Sequence, residues 1–237
     1  VNPVQLSNEV RDPPVIPYNI AHRGASARAP ENTFAAFDAA LSLGADMIEL
    51  DLQMTVDGVL VAIHDDSLER TCSPVGYPGK HRTASQLSLD QLKRHDVGSW
   101  FNDAVPRRAK PSFEGLTVPT LGEIFVRYRN RARFLLELKH PELWPRSPLD
   151  VVSMIRDFGL SAHTADGGIG VATSSRRTLA ALHRKAPELQ LLQLFALGEA
   201  PPALAKLSRP ARWVSGLAVC APDVDGALIN AARAFWS

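Results

Sequence analysis

The sequence predicts an α/β fold built on a parallel sheet, and three observations predict it. Apolar runs of strand length alternate with segments of helical period from Tyr18 onward. Six such strand–helix units follow one another, and parallel strands need helical crossovers of about this size. The 237 residues fit one α/β domain, and a hydrophobic content of 45% is enough for a sizeable core.

The elements follow in order. Residues 1–17 carry Pro3, Pro13, Pro14 and Pro17 without apolar period and read as an extended arm, leaving 18–237 as the single domain. Tyr18 to Ala21 is a short strand. Thr33 to Leu43 has helical spacing, with Asn32 or Thr33 as its cap and Gly44 as its stop. Asp46 to Gln53 is the second strand, and Asp57-Gly58 turns the chain into Val59 to Ile63. Residues 67–118 hold Gly76, Pro78, Gly79, Pro106, Pro111 and Gly115, with one helical piece at Leu87 to Arg94, and read as an inserted excursion. Alternation then resumes. Helices are expected at Thr120–Arg129, Leu149–Phe158, Ser175–Lys185, Ala203–Leu207 and Ala227–Phe235. Strands are expected at Arg133–Lys139, Ile169–Thr173, Leu189–Phe195 and Val214–Cys220.

Composition excludes several function classes. A formal net charge of +1 gives no footprint for nucleic acid or a membrane surface. The local cluster Arg127, Arg129, Arg131 and Arg133 reads as a solvated face beside a helix end. No stretch approaches the roughly 18 apolar residues of a membrane span. Cys72 and Cys220 lack metal-type spacing and read as two independent thiols, which leaves the compartment open. The chain begins at Val1, a start that a removed export signal or a trimmed chain would leave, so cytoplasmic, periplasmic and secreted settings all fit.

The chemistry lies in the strands. In Met47-Ile48-Glu49-Leu50-Asp51-Leu52, Glu49 and Asp51 stand on one face of an otherwise apolar element. Two buried anions are costly unless a positive group neutralises them, and a divalent cation is the simplest such group. Leu135-Leu136-Glu137-Leu138-Lys139 puts Glu137 and Lys139 on a shared face. That pair fits either a buried salt bridge or a third oxygen ligand beside a cation. Three hard oxygen donors suit Mg²⁺, Ca²⁺ or Mn²⁺ rather than zinc. His22 and His64 each end an apolar run, and two imidazoles can divide proton removal and proton supply.

Taken together, His22-Arg23-Gly24, Pro30-Glu31-Asn32-Thr33, Glu49-Leu50-Asp51 with Thr55 and Asp57-Gly58, and His64-Asp65 resemble the glycerophosphodiester phosphodiesterase family. Ser67-Leu68-Glu69-Arg70-Thr71, Pro119-Thr120-Leu121 and Glu137-Leu138-Lys139 extend the resemblance, which is close over residues 18–140. It implies a (β/α)8 TIM barrel with a subdomain inserted after the second strand. It also implies His22 and His64 as general acid and base, and Glu49, Asp51 and Glu137 as ligands of one Mg²⁺ or Ca²⁺. Arg23 and Lys139 would contact the phosphate of a small glycerophosphodiester, which would yield glycerol 3-phosphate and an alcohol. The family pattern carries two more strands beyond Phe235 than this sequence holds. An open barrel, completed by further chain or by a partner, is therefore expected.

Glu31 is either a plain helix-start acid or the group that orients Arg23 or a histidine. Asp65 faces away if it continues the strand and supports the site if it lies on a loop. Trp100 and Phe101 either line the alcohol end of the pocket or pack the excursion onto the barrel. His81, His95, His140, His163 and His183 read as surface or capping residues. Gly167-Gly168-Ile169-Gly170 precedes a strand rather than opening a helix, which argues against a phosphate loop. Two other readings stand beside the hydrolase: a phospholipase-D-like lyase on lysophospholipids or sphingolipids, and a non-catalytic binding domain.

Overall fold

The computed structural model describes residues 18–72, 83–144, 146–160, 168–195 and 214–218. The expected arm at 1–17, the helices at 203–207 and 227–235, and His81, His163, Gly167 and Cys220 lie outside the described residues. Among the described residues, six parallel strands form one sheet. They are β1 (Ile20–Ala21), β2 (Met47–Met54), β4 (Arg133–Leu138), β5 (Ile169–Thr173), β6 (Gln190–Leu194) and β7 (Gly216–Ala218), hydrogen-bonded in that order. Each corresponds to one expected unit. The short β3 (Leu60–Ala62) folds back antiparallel on β2 across the turn at Asp57-Gly58.

Strand periodicity divides the side chains into two layers. Ile48, Leu50, Leu52, Phe134, Leu136, Leu138, Ile169, Val171 and Leu191 pack with the helices into the main core. The alternate residues of β2, namely Glu49, Asp51 and Gln53, take the opposite face and are still buried. In the parallel register Glu49 pairs with Leu135, and Asp51 pairs with Glu137. This places three carboxylates on one side of two adjacent strands.

The helices close the outer layer and have identifiable ends. Helix α1 (Phe34–Ser42) is capped by Thr33, whose hydroxyl accepts from the Ala36 amide, and Gly44 leaves it at φ +78°. Helix α4 (Leu121–Tyr128) starts in a capping box: Thr120 accepts from the Glu123 amide, and the Glu123 carboxylate accepts from the Thr120 amide. Helix α6 (Arg176–Lys185) packs on β5 and β6, and α5 (Asp150–Asp157) places Val151, Val152 and Ile155 in the same core. Arg127 in the last turn of α4 pairs with Asp38 on the surface, in keeping with a solvated basic face.

Between β3 and α4 the excursion is more helical than its single expected piece. It contains α2 (Leu89–Leu92), α3 (Ser99–Ala104) and 3-10 turns at 84–86, 106–108 and 111–113. Prolines open two of those turns, where a missing amide costs nothing. The excursion packs through two clusters, one joining Leu68, Leu87, Leu92 and Val97 to Val61 and Ile63, the other joining Phe101 and Phe113 to Ala29 and Ala36. His95, expected as a surface or capping residue, is buried there. Its neighbours in sequence are polar, but the turn after α2 folds it inward.

Candidate active site

The acidic face of β2 and β4 opens at the strand C-termini, where the loops after β1 and β3 supply the histidines. Glu49 and Asp51 are buried and Glu137 is partly exposed, and their carboxylate oxygens approach within 4.8 Å of one another. One carboxylate oxygen of each buried acid, Glu49 Oε1 and Asp51 Oδ1, has no hydrogen-bond partner among the described residues. Burial and the charge of Asp51 push the Glu49 carboxyl well above its usual range. Burial also raises Asp51, outweighing the hydrogen bond that Asn32 donates to it. Unsatisfied, mutually repelling carboxylates in one spot fit a divalent ion, which would supply the missing partner to each.

The cations around this cluster come from both flanking segments. The Arg23 backbone amide donates to Glu49 Oε2 at 2.6 Å, and its Nε lies 3.3 Å from Asp51 Oδ2. Lys139 Nζ donates to Glu137 Oε1 at 2.7 Å and stands 3.3 Å from His64 Nε2. The expected Glu137–Lys139 pair therefore forms, yet Glu137 still belongs to the acidic triad.

His64 lies beyond the end of β3, on a loop, and Asp65 faces the site: Asp65 Oδ1 is 2.6 Å from His64 Nδ1. Burial would raise Asp65, but hydrogen bonds from Arg70 and His64 win and hold it at about 2. His22 sits exposed at the rim after β1, near enough to Arg23, Asp51, Glu137 and His64 to feel their charges. Partial burial of its ring, then the Arg23 charge, lower its pKa despite the two acids. Glu31 bonds Arg23 Nη1 at 3.0 Å, so of the two readings for that residue the orienting contact is present.

A family model described as the glycerophosphoryl diester phosphodiesterase family matches residues 22–229. The chain belongs to that family. A glycerophosphodiester phosphodiesterase of Bacillus subtilis is 38% identical over 177 residues, which are 74% of this chain and 58% of that protein. One from Caldanaerobacter subterraneus is 31% identical over 186 residues, 77% of this chain and 68% of its own. The crystal structure of a glycerophosphodiester phosphodiesterase from Agrobacterium tumefaciens aligns with a TM-score of 0.67 at 28% identity, covering 92% of this chain and 82% of that one. The parallel strands here are thus staves of the family's α/β TIM barrel, and the acidic cluster suits the divalent-metal dependence of the family.

Three residues make contacts at this site that the sequence reading assigns to none of them, although Asn32 and Arg70 lie within its motifs. Asn32 donates to Asp51 Oδ2 at 2.8 Å and accepts from the Asp51 amide at 3.2 Å, from a backbone at φ +55°. Gln53 donates to the carbonyls of His64 and Asp65 at 3.1 and 2.8 Å, pinning the loop that carries His64. Its position two residues past Asp51 puts it on the acidic face, a signal that period two already contains. Arg70 joins Asp65 to Glu31. A second group with ligand-like spacing, Glu31, His64 and Asp65, is filled by that guanidinium and offers no room for an ion. Beside Lys139 lies a cleft of about 140 Å³, walled by Gln53, Met54, Leu143 and Trp144. No helix among the described residues is long and apolar enough to cross a membrane.

Proposed function

We propose that this chain hydrolyses glycerophosphodiesters to glycerol 3-phosphate and an alcohol, with His22 and His64 as general acid and base. The observation that carries the reading is the convergence of Glu49, Asp51 and Glu137 beside Lys139 and His64. Those three carboxylates would hold one divalent cation, Mg²⁺ or Ca²⁺, since all the donors are hard oxygens. Once bound, the cation supplies positive charge to the phosphate oxygens as negative charge shifts onto them.

The chain's own residues account for the remaining needs. Arg23 and Lys139 bind the phosphate and fix its orientation, each already held by a carboxylate, Glu31 and Glu137 respectively. One imidazole takes the proton of the substrate's own glycerol 2-hydroxyl as that oxygen attacks phosphorus. The P–O bond to the alcohol breaks, and the other imidazole protonates the departing oxygen. The products of this step are a cyclic phosphate and the free alcohol. Water then opens the ring with the two imidazoles in exchanged roles, leaving glycerol 3-phosphate. Asp65 supports His64 by accepting from Nδ1. The cleft beside Lys139 gives the alcohol portion a partly apolar seat against Trp144.

Release of glycerol 3-phosphate from glycerophosphocholine, with and without a chelator, tests the reading. Turnover is expected, with loss on chelation and recovery on adding Mg²⁺ or Ca²⁺. Release that ignores the chelator would remove the metal assignment. Failure to release glycerol 3-phosphate from any soluble diester would remove the hydrolase.

A further inference from the structure

The structure assigns to Arg70 the role of a positioning residue that couples the support of His64 to the support of Arg23, with Trp100 of the excursion fixing Arg70 in place. The assignment builds on the hydrolase reading above. Arg70 Nε and Nη2 donate to Asp65 at 2.6 and 2.9 Å, while Nη1 and Nη2 donate to Glu31 at 2.8 and 2.6 Å. Asp65 in turn holds His64 Nδ1, and Glu31 holds Arg23 Nη1. One planar cation therefore bridges two carboxylates that each orient a different residue at the reacting phosphate.

The geometry asks for a guanidinium. Its planar fork makes four bonds, two to each carboxylate, whereas an ammonium has three donors at a single point and cannot reproduce that set. Without the Arg70 cation, Glu31 and Asp65 would face each other with oxygens inside 4.8 Å, Glu31 left with Arg23 and Asp65 with His64 as partners. Stability alone does not explain the arrangement. Arg70 is 43% exposed, and exposed ion pairs contribute little. Position matters far more, since a displacement of about 1 Å at a reacting group can cost on the order of 10²-fold in rate.

Trp100 makes this coupling a property of the excursion. The Arg70 guanidinium lies over the indole at 5.6 Å from the ring centroid. The indole is itself fixed, its Nε1 donating to the Val97 carbonyl at 3.0 Å and its ring meeting Phe101 edge-on at 5.7 Å. Phe101 is buried where the excursion packs on Ala29 and on Ala36 at the start of α1. The excursion thereby sets the plane in which Arg70 presents its fork, and through it the aim of His64 and Arg23.

The test compares R70M, R70K and W100L with the surface control R94A, using the full chain. R70M should lower kcat about 10–100-fold with KM within about threefold of the parent, and added guanidinium should restore part of the loss. R70K should recover less than guanidinium rescue restores, W100L should lower kcat a few-fold, and R94A should match the parent. In parallel, ¹⁵N NMR of the histidine rings in metal-free protein should show the hydrogen-bonded His64 Nδ1 signal displaced in R70M. A kcat for R70M within twofold of the parent, or an unmoved His64 signal, would overturn the assignment. So would a loss of activity that only tracks a lowered melting temperature and resists guanidinium. Should the parent turn over no diester, the ring spectra still decide the role of Arg70, and only the hydrolase reading falls.

Discussion

His22 and His64 stand in unlike settings at one site. His64 is anchored through Nδ1 to Asp65, and its other nitrogen faces Lys139. His22 is on the rim, and partial burial with the Arg23 charge disfavours its imidazolium. In the proposed reaction each handles a proton in a separate bond change, so neither can stand in for the other. H22A and H64A should each lower kcat by about 10²–10⁴-fold, with the far-ultraviolet circular dichroism unchanged. A variant retaining turnover within about threefold of the parent would take that histidine out of the mechanism. At this scale the sequence is unevenly readable. Glu49, Asp51 and Glu137 are legible because strand period alone puts them on a face. Arg70 is not, because its bonds to Glu31 cross 39 positions of chain and depend on how a loop folds. His95 misleads for the same reason, since polar neighbours in sequence do not report a turn that buries the ring.

The elements carry the site through a few constrained backbone positions. The β1–α1 loop must turn sharply to aim both His22 and Arg23, and it does so with Arg23 at φ +57° and Gly24 at φ +76°. Gly24 also passes so close to α1 that an added Cβ would lie 2.7 Å from the Ala36 carbonyl carbon. That neighbour is helix backbone and cannot give way cheaply. G24A should therefore tilt α1 or straighten the loop, lowering kcat/KM at least about tenfold and the melting temperature by several degrees. Paired kinetic and calorimetric measurements would check this, and a variant unchanged in both would show that the loop relaxes freely. Regular elements were the legible part of the fold. Among the described residues, the six parallel strands and the four longer helices lie where apolar period and caps place them. Helix α3 was not legible. Its six residues follow Gly98, which gives no side-chain cap, and give too few turns for a period to register. Its stability comes from Phe101 packing on Phe113, a tertiary contact.

At the scale of the whole molecule, a net charge of +1 conceals a local excess of negative charge at the strand ends. Glu49 and Asp51 are both raised, first by burial, and then in Glu49 by the charge of Asp51. A carboxyl whose folded pKa exceeds its unfolded value binds its proton more tightly in the native state. The metal-free fold must then lose stability as pH climbs from the ordinary carboxylate range through the raised native values. A cation that takes the place of those protons stabilises more as pH rises across the same window. At pH 7.5, saturating Mg²⁺ or Ca²⁺ at about 100 times its Kd should contribute about 2.7 kcal/mol, or roughly 5–10 °C in melting temperature for a chain of this size. The increment should shrink as pH falls toward 4.5. E49Q keeps an oxygen for the Arg23 amide but removes the buried charge, so it should raise the metal-free melting temperature by about 2–4 °C while abolishing the response to cation. Scanning calorimetry of the parent and E49Q at the two pH values, with and without cation, separates these effects. If the two proteins respond to cation alike, Glu49 is no ligand. If E49Q melts lower than the parent without metal, the buried charge is not the burden that its surroundings imply.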